Sequence, residues 1–153
     1  MKPAPALPKR LPLRRVRAGS CLIRIHASRI HGRAGNALWF GPAAGRSPIH
    51  RFDDPDGRFR VCYLATTLEV CFAETFLRNP PVRILSLEDL ERRSIATVEV
   101  RPIGSDRGIG QRQPYGDSQH WSRAQWEHSD KPGGILYRSR HDDSALCVGV
   151  RPR

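Results

Sequence analysis

The chain has 153 residues, of which 39% are hydrophobic, and its 26 Lys and Arg against 15 Asp and Glu give a formal net charge of +11. A chain of this length suits one domain that buries about two thirds of its unfolded surface, so it needs no metal or disulfide to fold. No stretch reaches the roughly 20 apolar residues of a membrane span. The basic start also lacks the continuous apolar core of a secretion signal, because prolines and arginines interrupt it. We therefore expect a soluble, cytoplasmic protein.

The four cysteines are far apart in the sequence and form no CxxC pair. A structural zinc site or a disulfide framework is therefore not expected. Three of them lie in apolar contexts, where a thiol behaves as a small hydrophobic group. The cysteines are Cys21, Cys62, Cys71 and Cys147.

Positive charge is concentrated at the start of the chain. Residues 1–20 contain six Lys and Arg and no acidic residue, so they carry +6 of the +11, and the other 133 residues carry +5. A mildly basic domain behind a basic arm is a weak indication of nucleic-acid binding. Residues 1–19 contain four prolines and no periodicity, which predicts a tail followed by one domain over residues 20–153.

The domain begins with a predicted strand over residues 21–26, in which Arg24 and His26 alternate with isoleucines. Residues 27–60 are rich in Gly, Pro, Arg and Asp and form a long loop, a kind of segment that is usually functional in a small domain. A short buried strand is predicted over residues 61–65.

A helix is predicted next, with clear signals at both ends. Thr66 is the predicted N-cap, Glu69 three residues later completes a capping box, and Asn-Pro-Pro at residues 79–81 ends the helix. The remaining predicted elements are a strand over 82–86, a helical turn over 87–93, a strand over 95–101, a flexible loop over 104–114, a helix over 118–128 and strands over 135–138 and 145–150. Short strands mixed irregularly with short helices predict a single α+β domain with a mixed or antiparallel sheet.

Glu74 is the most informative residue of the predicted helix. Its neighbours one turn away include Cys71 and Leu77, so the carboxylate projects from a mostly apolar stripe. One interpretation is an ion pair with Arg78, worth only a few tenths of a kcal/mol. The other is a half-buried carboxylate in a cleft, where desolvation and a cationic ligand set its behaviour.

Arg24 and Tyr63 also have two interpretations each, and Arg51 stands out by its setting. Arg24 is either a strand-edge residue with a packed stem or a bidentate phosphate ligand in a cleft. Tyr63 either packs its ring and hydrogen-bonds a carbonyl or stacks on a flat heterocycle. Arg51 stands out from the other loop arginines because Phe52 and a turn motif fix the backbone beside it.

The sequence contains no HxH, HExxH, GxSxG, Walker or GxGxxG pattern, which excludes several common enzyme classes. A competing hypothesis is a basic nucleic-acid-binding module or nuclease, because aromatic residues near arginines provide stacking surfaces for bases. These aromatic residues are Trp39, Phe40, Trp121 and Trp126.

Several motifs, taken in order, resemble the RES domain, the toxin half of RES-Xre toxin–antitoxin pairs. Arg24 matches the early family arginine, Arg51 matches the arginine of a GRF or GRW motif, and Tyr63 and Glu74 fit the spacing from Tyr-Leu-Ala to the family glutamate. The likeness extends over about residues 21–150 and includes the Tyr-Arg-Ser-Arg-His run near its end.

The chain departs from the family pattern at two places. Ile49 and His50 stand where the family often has two glycines before the second arginine. Ser118 and Ser139 both fit a context of the family serine, and neither is favoured.

The resemblance implies a fold similar to the ADP-ribosyltransferase toxins and NAD as the substrate, with no metal. Glu74 would stabilise oxocarbenium charge on the ribose, and Arg24 and Arg51 would hold the pyrophosphate. Tyr63 would pack against the nicotinamide or ribose, and the family serine would bind the carboxamide or a ribose hydroxyl.

Family members hydrolyse NAD, phosphorolyse it or transfer ADP-ribose to a protein, and the residues alone do not choose among these acceptors. The resemblance also implies an Xre-family antitoxin that covers the cleft. Direct binding of nucleic acid is not expected.

Overall fold

The computed structural model of this chain describes residues 6–30, 32–41, 47–77, 84–101, 107–108 and 115–151. Their strands are β1 Arg14–Arg15, β2 Cys21–Ala27, β3 Arg29–Ile30, β4 Arg33–Ala34, β5 Cys62–Ala65, β6 Arg93–Glu99, β7 Arg107–Gly108, β8 Gly134–Arg138 and β9 Leu146–Val150. Their helices are α1 Leu68–Phe76, α2 Leu87–Glu91 and α3 Tyr115–Glu127.

The main sheet is antiparallel and has five strands in the order β6-β2-β5-β9-β8. β2 pairs with β6 over its whole length, from Cys21 opposite Glu99 to Ala27 opposite Arg93. By contrast, β2 pairs with β5 only at Ile23 and Ala65. The predicted α+β class is confirmed, because this antiparallel sheet packs with a few short helices in one small domain.

Apolar side chains lie on both faces of this sheet. On the face that contacts α1, Ile25, Ala65 and Cys147 pack with Val70 and Cys71 of the helix. On the opposite face the buried residues are Leu22, Cys62, Leu64 and Val148, with Phe40 and the partly buried Val98, Val100, Leu136 and Val150 packed against them. The two faces are referred to below as the helix face and the second face.

The predicted strands at 21–26, 61–65, 95–101, 135–138 and 145–150 and the predicted helix at 118–128 are confirmed, with small changes at their ends. The N-cap of α1 is Thr67, one residue after the predicted Thr66. Thr66 instead donates from its backbone N and its Oγ1 to the carbonyl of Leu146, at 3.1 and 3.0 Å. Thr66 therefore extends the pairing of β5 with β9, and the helix begins one residue later.

The strand predicted over residues 82–86 is wrong for the described residues 84–86, which have no ladder partner. Ile84 is 84% exposed, so no neighbouring strand covers it. Ser86 caps α2 in a capping box with Asp89, which confirms the helical turn predicted there. Residues 78–83, with Arg78 and the predicted helix end, lie outside the described residues, as does most of the predicted loop over 104–114.

The described part of the N-terminal segment lies against the domain. Arg14 and Arg15 pair with Gly108 and Arg107 in a two-stranded ribbon. Leu11 is buried, and its backbone N donates to Asp130 Oδ2 at 2.9 Å. No helix in the described part of the chain is both long and apolar enough to cross a membrane.

Residues 49–58, here called the arginine loop because they carry Arg51, are tied to α3 by a buried ion pair. Arg123 donates from Nε and Nη2 to Asp54 Oδ1 at 2.7 and 2.6 Å, and from Nη1 to Asp56 Oδ2 at 2.6 Å. The side chain of Asp54 is 0% exposed and that of Arg123 is 10% exposed. A buried carboxylate is tolerated only when it is paired, so this ion pair fixes the loop on the helix.

All four cysteines are free thiols, and three of them are buried. Burial raises the pKa of Cys147 to about 12 and also raises the pKa of Cys62 and Cys71. These three side chains are therefore neutral at pH 7, where a thiol packs as a small hydrophobic group and is a poor nucleophile.

We predict that iodoacetamide at pH 8 modifies one of the four cysteines of the folded protein, the exposed Cys21, and all four after unfolding. The raised pKa keeps the other three as thiols, and burial keeps them from the reagent. Intact-mass and peptide mass spectrometry measure this directly. Rapid labelling of Cys71 or Cys147 in the folded protein would contradict the assignment.

Replacing Arg123 with Met leaves Asp54 as an unpaired buried charge, and we expect the free energy of unfolding to fall by about 3–5 kcal/mol. The matched control is Arg58→Ala, since Arg58 joins the same loop to Glu127 of α3 at 3.0 Å through a half-exposed ion pair. Its loss should lower stability by at most about 1 kcal/mol. Equal losses in urea denaturation would show that burial does not distinguish the two pairs.

Candidate active site

A cleft of about 320 Å³ opens where β2 and β5 separate. Beyond the single pair of Ile23 with Ala65 the two strands share no ladder. The walls of the cleft include residues 24–27 of β2 and residues 63–65 of β5. Glu74 of α1 and Arg51 of the arginine loop also line the cleft.

Glu74 is half-buried in this cleft and is held by the connection between β8 and β9. Its Oε1 accepts a hydrogen bond from Ser139 Oγ at 2.7 Å and another from the backbone N of Arg140 at 3.2 Å. Among the described residues no donor approaches Oε2 of Glu74. The arrangement fits the interpretation of a half-buried carboxylate at a cleft, whereas Arg78, the partner in the alternative ion pair, lies outside the described residues.

Ser139 contacts Glu74 from a buried position that does not line the cleft. It is 1% exposed, and its Oγ accepts from the backbone N of His141 at 3.1 Å while donating to Glu74. Because a serine hydroxyl has a single proton, that proton is already used on Glu74. The geometry therefore makes Ser139 a positioning residue, and its predicted contact with NAD stays a prediction.

Arg24 points from β2 toward the second face of the sheet. Its Nη1 donates to the carbonyl of Ala37 at 2.6 Å and to Cys62 Sγ at 2.6 Å. Cys62 belongs to the apolar cluster of the second face. The guanidinium is thus fixed at the cleft between β5 and residues 36–41, which follow the β3–β4 hairpin.

Arg51 also lines the cleft and is held by α3. Its Nε donates to Ser118 Oγ at 3.2 Å, and its Cζ lies 5.1 Å from the centre of the Phe52 ring. Ser118 is 1% exposed and does not line the cleft. Like Ser139, Ser118 is a buried residue outside the cleft lining that contacts a charged residue of the lining.

Tyr63 joins the cleft to the arginine loop. Its Oη accepts from the backbone N of Phe52 at 3.0 Å and donates to Asp53 Oδ1 at 3.0 Å. Asp53 is 0% exposed, and its Oδ2 accepts from the backbone N atoms of Ile49 and His50. The expected carbonyl partner of Tyr63 is therefore a carboxylate, while the ring stays available to line the cleft.

The structure brings Arg24, Arg51, Tyr63 and Glu74 to one cleft and places Ser118 and Ser139 behind it. Sequence reasoning did not identify four residues that line or hold the site. Asp53 and Asp54 are readable from the sequence only as part of a turn, Arg140 only as part of the Tyr-Arg-Ser-Arg-His run, and no local pattern marks Arg93 as a residue of the cleft. Their partners lie far along the chain, so only the fold reveals them.

The cleft is strongly cationic. Among the described residues that line it, four are arginines and one is a glutamate, and two histidines line it as well. Such a lining favours an anionic ligand. The described residues contain no group of three His, Cys, Asp or Glu side chains that could hold a metal ion.

Comparison with known proteins gives a family for this arrangement. The model of the RES domain matches residues 22–153. No curated protein and no solved structure matches the chain. Since the match extends over nearly the whole domain, from β2 to the end of the chain, the protein belongs to the RES domain family.

Proposed function

We propose that this protein binds NAD in the cleft and breaks its nicotinamide–ribose bond, as the toxin of a toxin–antitoxin pair. The proposal rests on one observation: the carboxylate of Glu74 lines the same cationic cleft as Arg24, Arg51 and Tyr63. RES family membership supports the same conclusion, since the family resembles NAD-consuming toxins.

The arginines supply the binding of the substrate's diphosphate. NAD carries two negative charges on its pyrophosphate, and a guanidinium binds phosphate oxygens through two parallel hydrogen bonds. Arg24 is held by the carbonyl of Ala37, and Arg51 is held by Ser118 Oγ. Side chains that are already ordered lose little entropy when they bind, which favours affinity.

Glu74 supplies the stabilisation of the transition state. When the bond between the ribose C1 and the nicotinamide nitrogen breaks, the electron pair leaves with nicotinamide and positive charge develops on the ribose. A carboxylate beside the ribose accepts a hydrogen bond from a ribose hydroxyl and stabilises that charge. Ser139 and the Arg140 backbone N fix Glu74 Oε1, so the carboxylate does not have to reorganise during the reaction.

The ADP-ribosyl group then passes to water, phosphate or a protein side chain, and all three acceptors use the same NAD-cleaving residues. An unchecked enzyme of this kind depletes NAD or modifies proteins in the cytoplasm where it is made. The proposal therefore includes an Xre-family antitoxin that covers the cleft, and expression without it should be toxic.

We predict that purified protein releases nicotinamide from NAD and that Glu74→Gln lowers the rate by about 100-fold. Glutamine has nearly the same shape as glutamate but no negative charge, so it cannot stabilise the developing cation. Chromatography of nicotinamide measures the rate, and mass spectrometry of the products identifies the acceptor.

Glu69→Gln is the matched control, because Glu69 is exposed in the first turn of the same helix. It should release nicotinamide at the rate of the unchanged protein. If Glu74→Gln retains full activity while both variants unfold at the same temperature, the role proposed for Glu74 is wrong.

A further inference from the structure

Trp39 lies on a short segment that is anchored to both sides of the cleft. In residues 36–41, here called the tryptophan loop, Asn36 accepts hydrogen bonds from the backbone N of Leu38 and of Trp39. Gly41 forms an isolated antiparallel β-bridge with Val61, just before β5, in which each backbone N donates to the carbonyl of the other residue. Arg24 of β2 donates to the carbonyl of Ala37 within the same loop. The loop is therefore held by β2 and by the residue that precedes β5.

The indole ring of Trp39 rests directly on Gly41. A Cβ atom added at Gly41 would lie 2.2 Å from Cζ3 and 2.3 Å from Cη2 of the ring. No side chain larger than the hydrogen of glycine fits beneath the indole, so glycine at this position is what allows the ring to lie there. The ring lines the cleft and Trp39 is 40% exposed, which leaves apolar surface open to a ligand.

Trp39 and Glu74 belong to segments that pack on opposite faces of the sheet. Phe40, the neighbour of Trp39, packs against the apolar cluster of the second face, the same cluster that contains Cys62, the partner of Arg24. Glu74 belongs to α1, which packs on the helix face. The cleft is thus lined by Glu74 from the α1 side of the sheet, by Arg24 of β2, and by Trp39 of the tryptophan loop, which packs on the second face through Phe40.

We propose that Trp39 is the stacking platform for the adenine ring of the dinucleotide, an inference that rests on the proposed function. If Glu74 takes the ribose of nicotinamide and Arg24 takes the pyrophosphate, the remaining heterocycle of NAD lies toward Trp39. Indole rings stack on nucleobases without needing a particular hydrogen-bond pattern. The indole ring already lines the cleft in which this contact would form.

The experiment compares two probes that do not depend on catalysis, ADP and inorganic pyrophosphate. ADP contains the adenine and the diphosphate, whereas pyrophosphate contains only the charged part. Calorimetry on the full chain should show that Trp39→Ala weakens ADP binding by about 10-fold, the effect of losing one base–aromatic stack, and leaves pyrophosphate binding unchanged. Trp39→Phe keeps an aromatic surface and should retain most of the affinity for ADP.

Gly41→Ala provides a second variant that keeps the tryptophan but displaces its ring, and it should weaken ADP binding in the same selective way. Leu38→Ala is the matched control, because Leu38 is an exposed residue of the same loop that does not line the cleft. Its affinity for both probes should equal that of the unchanged protein.

The inference is overturned if Trp39→Ala binds ADP normally, if it loses ADP and pyrophosphate equally, or if the unchanged protein does not bind ADP. Nicotinamide release from NAD is measured separately and decides the proposed function. If the unchanged protein releases no nicotinamide but its binding of ADP depends on Trp39, the catalytic proposal alone is rejected. If it releases nicotinamide but its binding of ADP does not depend on Trp39, the stacking role alone is rejected.

Discussion

The buried carboxylates of Asp53 and Asp54 hold the arginine loop in the one conformation on which the site depends. Neither carboxylate is accessible to water, so each must be satisfied by protein donors. Tyr63 and two backbone N atoms satisfy Asp53, while Arg123 and a backbone N satisfy Asp54. One carboxylate thus ties the loop to the sheet and its neighbour ties it to α3. Arg51, two residues before Asp53, is presented to the cleft as a consequence.

Buried side chains also contact charged residues elsewhere around the cleft. Ser139 donates to Glu74 and Arg51 donates to Ser118, and the cleft is lined by β2 and β5, which pair at a single position. A serine therefore stands behind the carboxylate and another behind an arginine, which gives both candidates for the family serine a structural role. Preorganised charges of this kind are effective in catalysis because they do not have to reorganise as the reaction proceeds.

Local patterns in the sequence predict most strands and helices, but contacts between distant residues decide the rest. Either threonine of a Thr-Thr pair can cap α1, and the carbonyl of Leu146, 80 residues away from Thr66, determines which one does. Residues 84–86 have the composition of a strand, yet Ile84 finds no partner strand. The turn formed by the two aspartates is readable from sequence, whereas Arg123, 69 residues after Asp54, is not. For Glu74 the sequence left two interpretations, and the β8–β9 connection favours one.

The most direct test of the loop's role is a double-mutant cycle between Tyr63 and Arg51, with nicotinamide release from NAD as the readout. Tyr63→Phe removes the hydroxyl that holds Asp53 and Phe52 but keeps the ring. If Tyr63 acts by positioning Arg51, this change raises KM about 10-fold with little effect on kcat, and the double variant Tyr63→Phe, Arg51→Ala is no worse than Arg51→Ala alone. Effects of the two substitutions that multiply would contradict the account, because they would show that Tyr63 and Arg51 act independently.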